Sequence, residues 1–226
     1  MLKMPVILID VGHGKDTPGK RSPDAVAGKL SSPLYFREFS WTRRCGQGIV
    51  DVLQAEGYTA FLLVKEEEDV PLKERTNRVA AYCRTYGVQN VLLISIHVNA
   101  ADKGLKWMNA RGWSIYTSPG ETASDRLATE IHAAAVPELT QREYARTFLP
   151  TSKQKASRTD FSDGDPDYEA KLWMLTQTPC PAVLSENMFQ DNKEDVAFLK
   201  SDQGLGACIQ LHVQGIENYI AKYFKK

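Results

Sequence analysis

"VILIDVGHGK", residues 6–15, decides the reading of this chain. Four strand formers, Val6 to Ile9, lead into Asp10, and the run then breaks at Gly12-His13-Gly14. This is the form of a buried strand that aims a histidine as it leaves a sheet. The flanking glycines let the backbone turn and leave open space around the imidazole.

Working outward, strand-like apolar runs recur at Tyr58–Val64, Val91–Ile96, Trp113–Tyr116 and Ala182–Leu184. Helical periodicity fills much of the space between. Ser40–Glu56 carries Ile49, Val50, Val52 and Leu53 on one face. "PLKERTNRVAAYCRTYG" opens with Pro71 at a helix's first position and closes at Gly87. "ETASDRLATEIHAAA" (121–135) and "LGACIQLHVQGIENYIAKYF" (205–224) read as two more amphipathic helices. Strands alternating with helices predict an α/β fold: a mainly parallel central sheet with helices on both faces. The length, 226 residues, suits a single domain over 1–226.

The stretch 137–167, polar and rich in turn residues, is longer than most connections inside a compact domain and reads as a candidate lid or loop insertion. Lysine plus arginine equals aspartate plus glutamate at 28 each, so no net field draws the protein to nucleic acid or anionic lipid. No apolar run is long enough to span a membrane. Met1 to Pro5 lead straight into the first strand, which leaves no room for a signal peptide's apolar core. The four cysteines form no CxxC pair and read as buried free thiols.

Ligands of open α/β sheets bind outside the carboxyl ends of the strands. His13, His97 in "LLISIHVNA" and Glu186 in "PAVLSENMF" each follow a strand, so parallel strands would bring all three to one edge. Two imidazoles and a carboxylate make a catalytic zinc site with a fourth position for water. Asp10, Glu38 and Glu186 are the candidate carboxylates. Asp10 could instead orient His13. Glu38 could be only a favourable charge at the start of a helix. The residues alone do not rank Glu38 over Glu186. His132 and His212, inside amphipathic helices, are expected at the core edge or the surface.

Five segments in order, "ILIDVGHGK", "FRE" (36–38), "VPLKERTNRVAAYC", "LLISIHVNA" and "PAVLSENMFQDNKEDVAFL", resemble the zinc-dependent N-acetylmuramoyl-L-alanine amidases, the type 3 amidase catalytic domain. The likeness covers Val6 to Tyr219, and "TPGKRSPD" followed by "FRE" is similar to the phage-lysin and prophage branch. The resemblance implies that His13, Glu38 and His97 hold Zn2+ and that Glu186 is the catalytic carboxylate that deprotonates the attacking water. It places Asn99 and Arg75 at positions that contact substrate or support the site. The implied activity is hydrolysis of the amide between N-acetylmuramic acid and L-alanine in peptidoglycan, in the cell wall or periplasm. An activator that displaces a lid would be the implied partner for 137–167.

Two departures stand out: the usual "DPGHGG" reads "DVGHGK", and the usual "VE" reads "SE" at Ser185-Glu186. Neither removes a ligand or the catalytic carboxylate. The rival expectations are a zinc peptidase or deacylase acting on another amide, and a peptidoglycan-binding module without catalysis. Glu186 argues against the second, since a pure binder has no use for a proton-transfer carboxylate beside the metal.

Overall fold

Strand β1 (Val6–Val11) is buried at every position. A strand with no exposed face belongs in the middle of a sheet covered on both sides. A computed structural model of the chain, which describes residues 4–140 and 156–224, places it there. β1 lies between β2 (Thr59–Leu62) and β3 (Val91–Asn99), parallel to both. β3 pairs in parallel with β6 (Ala182–Phe189). Beyond β6 come β4 (Ser114–Thr117), antiparallel to β6, and the two-residue β5 (Tyr168–Glu169), giving the order β2-β1-β3-β6-β4-β5. The mainly parallel α/β sheet expected from the sequence is therefore present, with one strand reversed.

The described helices are α1 (Pro23–Val26), α2 (Glu38–Ala55), α3 (Leu72–Tyr86), α4 (Ala123–Thr140), α5 (Trp173–Thr176), α6 (Lys193–Lys200) and α7 (Asp202–Tyr223). They cover both faces. On one face α2, α4 and α7 bury Ile7, Ile9, Ile94 and Ile96 in the larger core. On the other, α3 and α5 bury Leu8, Leu93 and Leu184 in a smaller one. Residues on alternate sides of each strand supply the two cores, as the two-residue strand period requires.

Several boundaries differ from the sequence reading. β3 and β6 run on through His97 and Glu186, so both side chains are carried by strand ends rather than by the loops after them. Helix α3 starts at Leu72, with Pro71 in extended backbone as its cap. Helix α4 continues through Pro137 to Thr140. Proline there costs one helical hydrogen bond, but Leu139, one turn from Ala135, is fully buried and holds the last turn on the core. Residues 137–140 of the expected loop are thus helical, and 141–155 lie outside the described residues. The described remainder runs along the sheet edge, where Ser157 bridges Trp113.

All four cysteines are free and buried, as expected. His212 is a correction. It is fully buried rather than at the core edge or surface. Its Nδ1 lies 2.6 Å from the Cys208 carbonyl and its Nε2 lies 2.8 Å from Ser185 Oγ. The carbonyl can only accept, so Nδ1 carries the proton and Nε2 accepts from the serine. Asn187 Nδ2 in turn donates to Ser185 Oγ at 3.0 Å and to the His97 carbonyl at 3.0 Å. Ser185 is thus one end of a buried polar pair, which is the structural content of the "SE" departure.

Burial lowers the His212 pKa from 6.5 to about 4. Below pH 6.5 the unfolded chain takes up a proton that the folded chain refuses until about pH 4, so stability falls with pH across that window. At 1.36 kcal/mol per pH unit the loss approaches about 3 kcal/mol. Urea unfolding of wild type and His212→Gln should therefore show a shallower decline for the variant from pH 6.5 to 4, from a lower start at pH 7. Parallel declines would mean that His212 does not set the acid sensitivity.

Candidate active site

The carboxyl ends of β1, β3 and β6 lie side by side, with His97 registered against Glu186. Registered neighbours in a sheet point to the same face. His13 comes from the turn after β1 and adopts φ +60, a left-handed conformation uncommon for a non-glycine residue. Its flanking glycines serve space more than flexibility. A Cβ on Gly12 would sit 2.5 Å from two ring atoms of His97, and one on Gly14 would sit 2.0 Å from the Asp69 backbone nitrogen. Only glycines let the β1 turn pass this close to the second imidazole.

Glu38 arrives from the other side of the sheet as the first residue of α2. It is fully buried, and its Oε1 accepts from the Val98 backbone N–H at 3.0 Å. The same oxygen lies 3.2 Å from His97 Nδ1 and 3.5 Å from His13 Nε2. The two imidazole rings meet edge to face with centroids 5.0 Å apart. One ligand atom from each of His13, Glu38 and His97 lies within 4.8 Å of the others, close enough for all three to hold one metal ion.

The second Glu38 oxygen, Oε2, is buried with no hydrogen-bond partner. A buried carboxylate oxygen without a donor is costly, and a cation among the three side chains would satisfy it. Burial opposes charge on both Glu38 and His97. The hydrogen bond and charge between them outweigh it, holding the Glu38 carboxyl low and the His97 imidazole high. At His13 burial wins over the Glu38 charge, and with His97 and Lys20 adding to it the pKa falls to about 4. A neutral imidazole is the form that binds metal.

Glu186 stands beside this cluster and is not one of its three members. Burial, with the nearby Glu38 charge adding to it, raises its pKa to about 7, against the pull of His97 and Lys20. Its Oε2 is also buried without a partner. Glu38 rather than Glu186 therefore lies against the two imidazoles.

Arg75 is 2% exposed. It donates to Asp10 Oδ1 at 2.9 Å, the Val11 carbonyl at 2.7 Å, the Val70 carbonyl at 2.8 Å and Asp69 Oδ1 at 3.0 Å. Asp10 also accepts from Ser95 Oγ at 2.6 Å, so it braces β1 against β3 and is not directed at His13. Asn99 lies on the same side of β3 as His97, and its Oδ1 accepts from the Ala100 N–H at 2.8 Å. Lys20 is the residue the sequence did not single out. Its backbone carbonyl accepts from the Glu38 N–H at 3.1 Å, and its charge reaches both Glu186 and His13. A lysine in the turn-rich stretch "TPGKRSPD" carries no pattern that would mark it.

The fold and the site define an α/β domain with a two-histidine, one-glutamate cluster able to hold a metal and a second buried glutamate beside it. The family model described as N-acetylmuramoyl-L-alanine amidase matches residues 7–218, and the chain belongs to that family. It is 28% identical over 215 residues to the endolysin of Bacillus phage SPP1, covering 93% of this chain and 64% of that protein. It is 24% identical over 241 residues to the N-acetylmuramoyl-L-alanine amidase AmiC of Neisseria meningitidis serogroup B, covering 96% of this chain and 53% of that protein. This chain thus spans less than two thirds of the length of either relative. Among solved structures, an N-acetylmuramoyl-L-alanine amidase from Clostridium difficile 630 superposes with a TM-score of 0.72 at 18% identity, covering 97% of this chain and 98% of that one. The catalytic domain of the CD27L endolysin, targeting Clostridia difficile, has a TM-score of 0.59 at 19% identity, covering 95% and 97%. At those identities the two structures support the fold alone.

If the cluster holds metal, His97→Ala should lose it while keeping the fold. Elemental analysis of the purified variant should show metal content down about tenfold or more, with far-ultraviolet circular dichroism unchanged. Full occupancy would remove His97 from the ligand set.

Proposed function

We propose that this chain is a zinc-dependent amidase that cuts the bond between the lactyl group of N-acetylmuramic acid and the L-alanine of the peptidoglycan stem. The observation that carries the reading is the buried Glu38 carboxylate, whose Oε1 lies beside both imidazoles while its Oε2 is orphaned, with the partnerless Glu186 Oε2 on the residue registered against His97. His13, Glu38 and His97 would hold the zinc. Bound there, it would supply Lewis-acid polarisation of the scissile carbonyl and of the attacking water. Two nitrogens and one carboxylate are a donor set that suits zinc and leaves a coordination position open.

Glu186 takes the proton of the attacking water and returns it to the departing alanine nitrogen. Its buried setting suits this, because a carboxyl held near neutrality can both accept and give a proton at working pH. Asn99, on the same side of β3 as His97, would contact the substrate. Arg75 supports the site from behind, since Asp10, Asp69 and two backbone carbonyls occupy its guanidinium. The substrate named for the family and for AmiC supports the choice of amide, and the endolysin relative supports action on the cell wall.

Two experiments test the reading. Glu186→Gln should keep zinc and fold while turnover on purified peptidoglycan falls by about 100-fold or more. Retention of near wild-type turnover would remove Glu186 from the proton-transfer role. Separately, amino-terminal labelling of digested peptidoglycan should give chiefly alanine, with no rise in reducing sugar ends. New reducing ends would signal a glycosidase, which needs paired carboxylates flanking an acetal. Labelled lysine, diaminopimelate or glycine as the main product would instead identify a peptidase.

A further inference from the structure

Away from the histidine cluster, at the β4–β5 edge of the sheet, three aspartates converge: Asp125 in the first turn of α4, and Asp165 and Asp167 in the run "DGDPDYE" that leads into β5. A carboxylate oxygen from each lies within 4.8 Å of the others. Each aspartate has one local duty. Asp125 accepts from the Thr122 N–H, while Thr122 Oγ1 accepts from the Ser124 N–H, a reciprocal cap at the start of α4. Asp165 Oδ1 accepts from the Asp167 N–H at 3.3 Å, closing a tight turn. Asp167 Oδ2 accepts from Thr117 Oγ1 at 2.5 Å, fastening the turn to β4.

These duties leave oxygens over, and Asp167 shows it most clearly. It is 1% exposed, yet its Oδ1 is buried with no hydrogen-bond partner. With Oδ2 turned to Thr117, Oδ1 is the oxygen left for the cluster. The charged groups that act most strongly on Asp167 are themselves carboxylates, Asp165 and Asp125. Among the described residues no lysine or arginine forms an ion pair with any of the three. Arg126, the nearest cation along the chain, stacks its guanidinium over the Tyr223 ring at 5.5 Å. Burial and the adjoining carboxylates raise Asp167 to about 8, so without a counter-ion it holds a proton at neutral pH.

We propose that Asp125, Asp165 and Asp167 form a second cation site, one that takes calcium. All the donors are oxygens, the choice of a hard cation, and neither imidazole nor thiolate is present to favour zinc. Calcium accepts six to eight oxygens in irregular geometry. The three carboxylates supply three to six of these, depending on how many bind through both oxygens. Water completes the set through the open depression lined by Glu121, Thr122, Asp125, Arg126 and Asp165, where the Arg126 guanidinium is drawn over the Tyr223 ring. A bound ion displaces the proton from Asp167 and relieves the repulsion among the three side chains. It also ties the start of α4 to the segment that enters β5, locking the far edge of the sheet.

The experiment uses zinc-loaded protein passed over chelating resin, with zinc content checked afterwards, then titrated with calcium chloride alone. Calorimetry should show one saturable site with a dissociation constant at or below about 1 mM, the range of extracellular calcium modules. The melting temperature should climb with the logarithm of calcium concentration above that value. Asp165→Asn should abolish both responses. It should also melt higher than wild type without calcium, because one repelling charge is gone; Asp125→Asn, tested alongside, should likewise lose the calcium response. The proposal is overturned if wild type shows no saturable binding up to about 10 mM, well above that range. It is equally overturned if both variants keep the full calcium response. A higher-melting Asp165→Asn with no calcium effect in wild type would mean that a shared proton alone satisfies the cluster. None of these outcomes depends on the zinc site or on turnover.

Discussion

The arrangement of the site rests on one buried ion pair. Arg75 of α3 reaches under the sheet to Asp10, the fifth residue of β1, and also takes the Val11 carbonyl, the last in that strand. Asp10 answers with its other oxygen to Ser95 of β3. Strand end, neighbouring strand and covering helix thus meet at one fully bonded carboxylate. Breaking such a pair leaves a buried charge uncompensated, at a cost of about 3–5 kcal/mol. Both imidazoles lie within a few residues of this point: His13 is three residues beyond Asp10, and His97 is two beyond Ser95. The pair costs desolvation, and it returns a turn after β1 that leaves the sheet in one direction.

Much of this was legible in the sequence because it depends on period and order. Strands that end in His13, His97 and Glu186 converge if they are parallel, and β1, β3 and β6 are parallel. The residues alone could not choose between Glu38 and Glu186, because that choice is made across the sheet. Glu38 enters from a helix on the opposite face, and its Oε1 finds both imidazoles and the Val98 N–H at once. His212 was misplaced for a related reason. A histidine in an amphipathic helix looks the same whether its ring meets water or a serine 27 residues earlier in sequence. Pro137 misled because a proline's cost is local and visible, while the burial of Leu139 that offsets it is a tertiary fact. The two-residue β5 is too short to leave any periodicity.

Strain collects at the same place. The two non-glycine residues with positive φ among those described are His13 at 60° and Met188 at 65°. One follows β1 into the site, and the other sits two residues past Glu186, where the β3–β6 register slips between His97 and Asn99. Each such conformation costs on the order of 1–3 kcal/mol and persists only where its surroundings fix it. Met188 is fully buried, and the neighbouring Phe189 N–H is held by Asp195 at 3.0 Å. The Gln190 N–H is held by the Asn99 carbonyl at 2.8 Å. The slip puts one extra residue into β6 just beyond the His97–Glu186 pair, and pairing resumes at Asn99 and Phe189.

The outermost strands, β2 and β5, are four and two residues long, while the inner β1, β3 and β6 run to six, nine and eight. The margins of a sheet are where a neighbouring chain could add itself through unpaired backbone groups. Here the long, strongly apolar segments are sealed inside, and what remains at the rims offers too few free N–H and C=O groups to template a growing stack. An inner row such as Val91-Leu92-Leu93-Ile94 would be hazardous if laid bare. The unequal strand lengths therefore guard this protein against self-association at high concentration.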